Sequence, residues 1–367
     1  MRYTVTTKTK QLMYGTHAAG EAAIQAGCTC YFGYPITPQN ELPEYMYRRL
    51  PEVGGVFIQA ESELASINMV LGASVAGARA MTSSSSPGIS LKQEGISFMA
   101  GMELPAVIVN IMRGGPGLGN IAPAQSDYFQ ATRGGGHGDY RTPVLAPASV
   151  QELADLTFLA FDMADQYRNP VLILGDGMLG QLMEPVVIPT RKKNGALAEK
   201  DYILTGAKDR AARLVRSLIL DVKEMEDHNW KLHRKYQRIE QNETRWESYR
   251  MEDAEMAVIA YGTAARIAKG AINRLRKEDE NIRIGLIRPI TLWPFPTKAL
   301  RDAVKTMNDF FVFEMSTGQM VEDVRLALEG RGKIHFYGRP GGVVPTPVEL
   351  ARSMARNYYQ SKRSRKK

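Results

Sequence analysis

Two stretches, PAVIVNIM at residues 105–112 and NPVLILGD at 169–176, decide the fold. Each is an almost continuous apolar run of strand length. A strand with one wet face would alternate, so these runs suit strands buried on both faces of a largely parallel sheet. Parallel strands need crossovers, and Ser149–Gln166 supplies one: an amphipathic helix pattern with a cap at Ser149 and Glu152 three residues on. The same alternation extends back toward the N-terminus. Helix patterns at Ala18–Ala26, Glu41–Leu50, Glu61–Ala76 and Gly88–Gly101 alternate with strand patterns at 28–33, Gly55–Gln59 and Ala78–Thr82. Residues 1–190 therefore read as one α/β domain.

A second α/β unit of about 100 residues spans 254–355. Its strands are MAVIAYG (256–262), IRIGLI (282–287), DFFVFEM (309–315) and KIHFYG (333–338), with helix patterns at 264–276, 296–307 and 321–328. Between the units, 27 of the 63 residues in 191–253 are charged, about 43% against 23% for the chain, which marks a solvated linker. Within it, Asp221–Tyr249 has long-helix spacing through Met225, Trp230, Leu232, Tyr236, Ile239 and Trp246. Its mixed signs argue against a nucleic-acid stripe and for a linking helix lying against a partner. Residues 356–367 read as a basic tail.

With 44% hydrophobic residues the 367-residue chain is neither disordered nor a membrane protein, and no apolar run reaches the roughly 20 residues of a spanning helix. The N-terminal MRYTVTTKTKQLMYG lacks an apolar signal region, so the expected location is cytoplasmic. The net charge of +8 is partly the KRSRKK end (362–367), which reads as solubilising rather than nucleic-acid-binding. Cys28 and Cys30 are the two cysteines. They cannot build a four-cysteine cluster, so any redox centre comes from a partner or a bound cofactor. Neither G-x-x-x-x-G-K-[ST] nor a G-x-G-x-x-G after a first strand is present, which excludes a P-loop enzyme and a Rossmann dehydrogenase.

Four loops come after predicted strands, where open α/β sheets collect ligands. In GYPITPQNE (33–41), prolines stiffen the backbone around Pro35 and Ile36, and Thr37 offers a hydroxyl. In QAESELAS (59–66), Glu61 and Glu63 open a helix: they either serve the helix dipole or place a carboxyl in an apolar cleft, ready to share a proton with a heterocycle. In TSSSSPGISL (82–91), Ser85 and Ser86 precede a helix start that can cradle an anion. The stretch 110–143 holds eight glycines with Arg113, Arg133, His137 and Arg141. Arg113, just after a buried strand, is placed to bind a carboxylate through two hydrogen bonds. His137 is either a proton carrier and substrate contact or a solvent-facing loop residue.

These segments carry a resemblance. GYPITP (33–38), ESELAS (61–66), TSSSSPGISLKQEG (82–95), MRGGPGLG (112–119), GGGHGDYRTPVLAPASVQE (134–152), YRNPVLILGDG (167–177), AYGTAARIAKGA (260–271) and FEMSTGQMVEDVR (313–325) resemble the alpha subunits of the 2-oxoacid:ferredoxin oxidoreductases, especially the branch acting on 2-oxoisovalerate (3-methyl-2-oxobutanoate). The resemblance implies that the first unit is the pyrimidine-binding domain for thiamine diphosphate and that the second is like the C-terminal domain of transketolases. It implies a beta subunit carrying the diphosphate-binding motif, Mg²⁺ and an iron–sulfur cluster, with gamma and ferredoxin-like delta subunits, coenzyme A as cosubstrate and external ferredoxin as acceptor. The diphosphate motif begins Gly-Asp-Gly and ends in paired asparagines; Gly175-Asp176-Gly177 has none after it at that spacing and reads as a strand end.

Carried over by position, Glu63 is the glutamate expected to bond the aminopyrimidine. Pro35, Ile36, Ser85 and Ser86 line the cofactor, and Thr37 and Arg113 are expected at the substrate. The alternative substrates are 2-oxoglutarate or an aryl-2-oxoacid; the former needs a second cation, for which Arg133 and Arg141 are candidates. A non-catalytic scaffold subunit is the alternative of another class, and the presence of both Glu63 and Arg113 argues against it.

Overall fold

The computed structural model describes residues 10–191 and 199–365. Its first part runs β1 (Gln11–Tyr14), α1 (Gly15–Gln25), β2 (Cys30–Gly33), α2 (Glu41–Glu52), β3 (Val56–Gln59), α3 (Glu63–Val75), β4 (Ala80–Ser84), α4 (Ser86–Gly101) and β5 (Ala106–Met112). After the glycine-rich loop come α5 (Tyr128–Arg133), β6 (Val144–Leu145), α6 (Val150–Tyr167), β7 (Pro170–Asp176), α7 (Gly177–Gln181) and β8 (Met183–Val186). The remainder comprises α8 (Val222–Glu243), β9 (Trp246–Tyr249), β10 (Met256–Ile259), α9 (Gly262–Glu278), β11 (Ile284–Pro289) and β12 (Thr291–Trp293). It ends with α10 (Thr297–Ala303), β13 (Asp309–Glu314), α11 (Met320–Leu328), β14 (Lys333–Gly338) and α12 (Pro347–Arg365).

β5 and β7 are central and pair in parallel over seven residues, Ala106↔Pro170 to Met112↔Asp176. Val107, Val109, Ile111, Val171 and Ile173 are wholly buried, each burial contributing about 1.5–3 kcal/mol. The sheet order is β12-β6-β7-β5-β4-β2-β3. The chain moves from β2 outward to β3, then crosses to β4 on the other side of β2, so the topology reverses between β2 and β4. These two pair only at Cys30↔Ala80 and Tyr31↔Met81. At such a switch point, outside the carboxyl ends of the strands, α/β sheets form the crevice that binds ligands.

The second sheet, β14-β13-β10-β11-β9, is parallel except for β9. The two parts share structure. β12, from the second, pairs antiparallel with β6 of the first sheet. Arg288 of β11 is buried and forms ion pairs with Glu152 at the start of α6 and Glu247 of β9. The expected cap of α6 is present: Ser149 Oγ accepts from the Glu152 amide at 3.1 Å, and the Glu152 carboxylate accepts from the Ala148 amide at 2.8 Å.

Two expectations differ from the structure. The helix expected over 221–249 ends at Glu243, and residues 246–249 turn into β9, pairing from Trp246↔Pro289 to Tyr249↔Leu286. Nor is that helix left for a partner alone. Leu232, Tyr236 and Ile239 are buried in the first core, and Lys231 and Lys235 reach Glu103. The expected tail is helical through residue 365, because Leu350, Ala351, Met354 and Tyr358 form an apolar stripe in the second core and Lys362 pairs with Glu255. Lys366 and Lys367 lie outside the described residues. No helix among the described residues is long and apolar enough to cross a membrane.

Candidate active site

The crevice is lined by the segments at the carboxyl ends of β2, β3, β4 and β5. Glu63 is the first residue of α3, held there by Ser62, whose hydroxyl accepts from the Ala65 amide at 3.1 Å. It is 6% exposed, yet among the described residues no donor bonds its carboxylate. α4 approaches it through Gly88: a Cβ there would stand 2.6 Å from Glu63 Oε1 and 2.1 Å from Ser84 Oγ. Only a glycine lets the helix start this close to the acid. The Ser84 hydroxyl is buried beside it, and those of Ser84 and Ser85 have no protein partners.

Arg113 leaves the end of β5 and is 7% exposed. Its Nη1 donates to the Thr37 carbonyl and its Nη2 to the Leu118 carbonyl, both at 2.9 Å, so it ties the loop after β2 to the glycine-rich loop. Nε is buried without a partner, and each Nη keeps a second N–H for a ligand. The loop itself is closed by Gly114 N to Ala122 O and Asn120 N to Gly114 O, both 2.9 Å. Gly119, at φ +56°, is required there, because a Cβ would meet Gly114 O at 1.7 Å.

The sequence reading missed three residues of this crevice. Asp127 accepts from Ser86 Oγ at 2.6 Å and from Asn110 Nδ2 at 2.9 Å, and burial raises its carboxyl above the usual range despite these bonds and nearby Arg113. Asn110, two residues before the end of β5, is the second. Ser86 Oγ also accepts from the Arg113 amide at 3.0 Å. Its hydroxyl is therefore engaged in holding Arg113 in place, while Ser85 keeps a free one. Lys92 is the third. Its ammonium lies wholly buried on Thr82 Oγ1 at 3.0 Å, on Ser66 Oγ and on the Glu63 carbonyl at 3.5 Å. Burial lowers its pKa to about 7, against the opposing charge of Glu63. A signal for it was present: Lys92 sits at helical spacing from Ile89, Ile96 and Met99, the buried face of α4.

Thr37 and Pro35 are exposed and Ile36 half-buried at the crevice rim. His137 is not brought to this cluster. It is exposed and lines a groove with Ser97, His228 and Asn229 against α8, because Gly135 and Gly136 dock on Gln93 and Ser97 and turn it outward. Arg133 is bound to Asp323 of α11 at 2.7 Å, and Arg141 faces the α8 groove. Asp176 Oδ1 caps α7 through the Met178 and Leu179 amides and accepts from Thr263 Oγ1 at 2.9 Å, so Gly175-Asp176-Gly177 is a joint between the two parts.

A free buried carboxylate, two unpartnered serine hydroxyls and a glycine-cleared surface fit a flat heterocycle with a basic ring nitrogen; Arg113 adds a carboxylate site. Residues 21–252 match the family described as pyruvate flavodoxin/ferredoxin oxidoreductase, thiamine diP-binding, and residues 254–350 match pyruvate:ferredoxin oxidoreductase core domain II. The chain is 51% identical over 332 residues to the ketoisovalerate oxidoreductase subunit VorB of Methanothermobacter marburgensis, covering 90% of this chain and 93% of the relative. It is 38% identical over 333 residues to the 2-oxoglutarate synthase subunit KorA of Archaeoglobus fulgidus, covering 89% and 94%. A solved 2-oxoglutarate:ferredoxin oxidoreductase from Magnetococcus marinus superposes with a TM-score of 0.83 at 27% identity, over 95% of this chain. The chain spans 65% of that longer chain.

Proposed function

The chain belongs to the thiamine-diphosphate-dependent 2-oxoacid:ferredoxin oxidoreductases as an alpha subunit, and from that premise we propose that its complex oxidatively decarboxylates branched-chain 2-oxoacids such as 2-oxoisovalerate. The products are the acyl-coenzyme A and carbon dioxide, with two electrons passing to ferredoxin.

The observation that carries the substrate choice is the set of charges in the crevice. Arg113 is the cation placed for the carboxylate beside the 2-oxo group. Arg133 is held by Asp323, Arg141 faces another groove, and Lys92 is sealed behind Glu63. A second carboxylate, as in 2-oxoglutarate, therefore lacks a partner from the described residues of this chain. The exposed side chains of Leu118 and Ile121, next to Arg113 in the glycine-rich loop, offer the apolar wall an isopropyl group needs. The higher identity to the ketoisovalerate enzyme than to the 2-oxoglutarate enzyme supports the same reading.

Thiamine diphosphate, when bound, supplies the carbanion chemistry. Glu63 holds a proton against the pyrimidine ring nitrogen, with Ser84 and Ser85 beside it and the rim of Pro35 and Ile36 above. Arg113 orients the 2-oxoacid through its carboxylate, and Thr37 offers its hydroxyl to the same end. Ser86, itself held by Asp127 and Asn110, fixes the arginine backbone. The unit held by this chain lacks the diphosphate motif, so a beta subunit brings it with Mg²⁺ and an iron–sulfur cluster, joined by gamma and ferredoxin-like delta subunits in the cytoplasm.

The test is kcat/KM of the co-purified complex on a panel of 2-oxoacids with a low-potential acceptor. 2-Oxoisovalerate should exceed 2-oxoglutarate by at least about 10²-fold, the scale set by a buried unpaired charge. Preference for 2-oxoglutarate would overturn the assignment.

A further inference from the structure

The face that α4 turns toward α3 grips one residue at both ends. Gly88 meets the carboxylate of Glu63, and Lys92, one helical turn later, meets its backbone. An ammonium has three N–H groups, and Lys92 has three acceptors: Ser66 Oγ, Thr82 Oγ1 and the Glu63 carbonyl. Ser66 Oγ in turn donates to the same carbonyl at 3.0 Å. The pocket thus offers an acceptor for each N–H of the charged form, while burial works against the charge.

Stability alone gives no reason for such a pocket. Lys92 occupies a stripe otherwise filled by Ile89, Ile96 and Met99, where an apolar side chain would pack without desolvating a charge. It also lies at the first turn of α3, the end of a helix where a cation is disfavoured. Glu63 is the charged group that acts on it; the other groups facing its nitrogen, Ser66 of α3 and Thr82 of β4, are neutral hydroxyls. A cation held at this cost has one electrostatic neighbour to influence among the described residues.

We propose that Lys92 is a positioning residue for Glu63: its amine, anchored on Ser66 and Thr82, sets the charge of the Glu63 carboxylate and so where the proton between that carboxylate and the thiamine diphosphate pyrimidine rests. The inference rests on Glu63 being the acid at the pyrimidine. With Lys92 charged, the proton lies on the ring nitrogen and the negative charge on Glu63. When Lys92 loses its proton, the negative charge loses its support and the shared proton returns to the carboxyl. No proton is created or lost between the two partners; only its resting place changes. Because burial brings the lysine to about 7, the control operates across the physiological range.

The experiment uses the assembled complex and three variants, Lys92→Met, Thr82→Val and Glu63→Gln. Exchange of the cofactor C2 proton for deuterium is followed from pH 5.5 to 9, with thiamine diphosphate affinity by calorimetry and the melting temperature alongside. The wild-type exchange profile should bend near neutrality. Lys92→Met should lose the bend, exchanging at least about tenfold more slowly at pH 6 while approaching wild type at pH 9, since one pKa unit is a factor of ten. Its affinity for thiamine diphosphate should stay within about threefold at both ends, because no direct contact is removed. Thr82→Val keeps the amine but removes one acceptor, so the bend should move to lower pH. A Lys92→Met profile parallel to wild type, or an unmoved bend in Thr82→Val, overturns the proposal, and the second variant decides alone if the first fails to assemble. Glu63→Gln separates the two readings: wild-type exchange there sinks the role of Glu63 itself, whereas slow exchange there with a wild-type-like Lys92→Met profile sinks the lysine alone.

Discussion

Glu63 is where a structural and a catalytic reading of the same residue make different quantitative demands. At the first position of α3 its negative charge favours the helix dipole, which is worth about 0.3–1 kcal/mol. As the acid at the pyrimidine it is worth roughly 10²–10⁴ in rate. Glu63→Gln should therefore melt within a few degrees of wild type while slowing C2-proton exchange by that factor. Equal exchange in the two proteins would pass the role to Glu61, which is exposed. Arg113→Ala should reduce kcat/KM for every 2-oxoacid by about 2–5 kcal/mol, the cost of leaving a buried carboxylate without its charge-assisted donors. The structure adds a second consequence, because the same guanidinium ties Thr37 to Leu118. Arg113→Lys should keep the charge but not both ties, and steady-state kinetics should place it between wild type and alanine. Full activity in Arg113→Ala would remove this residue from the substrate site.

At the scale of elements, the approach of α4 to α3 makes the crevice, and glycines test it in both directions. Gly88→Ala puts a methyl against Ser84 Oγ and the Glu63 carboxylate, so it should cost about 1–3 kcal/mol of stability as an overpacked site and slow exchange by displacing the acid. Gly72, towards the far end of the same α3, meets nothing within 4 Å, so Gly72→Ala should stabilise by about 0.5–1 kcal/mol. Paired thermal melts check both, and a stabilised Gly88→Ala would mean the helices are not in contact there. Most of the helices and parallel strands, though not α5, α7, α12 or β6, were legible because their signals are local: the runs in β5 and β7, the cap at Ser149, the small residues of α3. β9 and β12 were not. Each is a short strand, Trp246–Tyr249 and Thr291–Trp293, and extends only because a distant edge, β11 or β6, accepts it. Lys92 was overlooked for a similar reason. A lysine reads as surface until the neighbouring isoleucines show that its face of the helix is inward.

At the scale of the molecule, the second part braces the loop that carries Arg113. Gln125 exchanges hydrogen bonds with Met315 and reaches the Tyr261 carbonyl, Tyr128 donates to Asp323, and Gln319 spans the Ser126 carbonyl and the Phe129 amide. The loop is thereby tied to the second part at several points, and in the proposed function it is this chain's share of a site that a beta subunit completes. The chain cannot make up the redox half itself. Cys28 is buried, its thiol is pushed up to about 12 by burial, and its Sγ faces the Cys30 carbonyl at 3.5 Å. A thiol in that setting stays protonated at neutral pH, and metal ligation needs the thiolate. Two cysteines, one of them inert, do not hold an iron–sulfur cluster. The chain expressed without its beta subunit should therefore fold cooperatively, carry no stoichiometric iron and turn over no 2-oxoacid. Adding the separately purified beta subunit with thiamine diphosphate and Mg²⁺ should restore acceptor reduction. Metal analysis and an assay before and after mixing measure this directly. Stoichiometric cluster iron in the lone chain, or turnover without the partner, would contradict the proposal that this subunit supplies the pyrimidine acid and the substrate arginine but not the electron path.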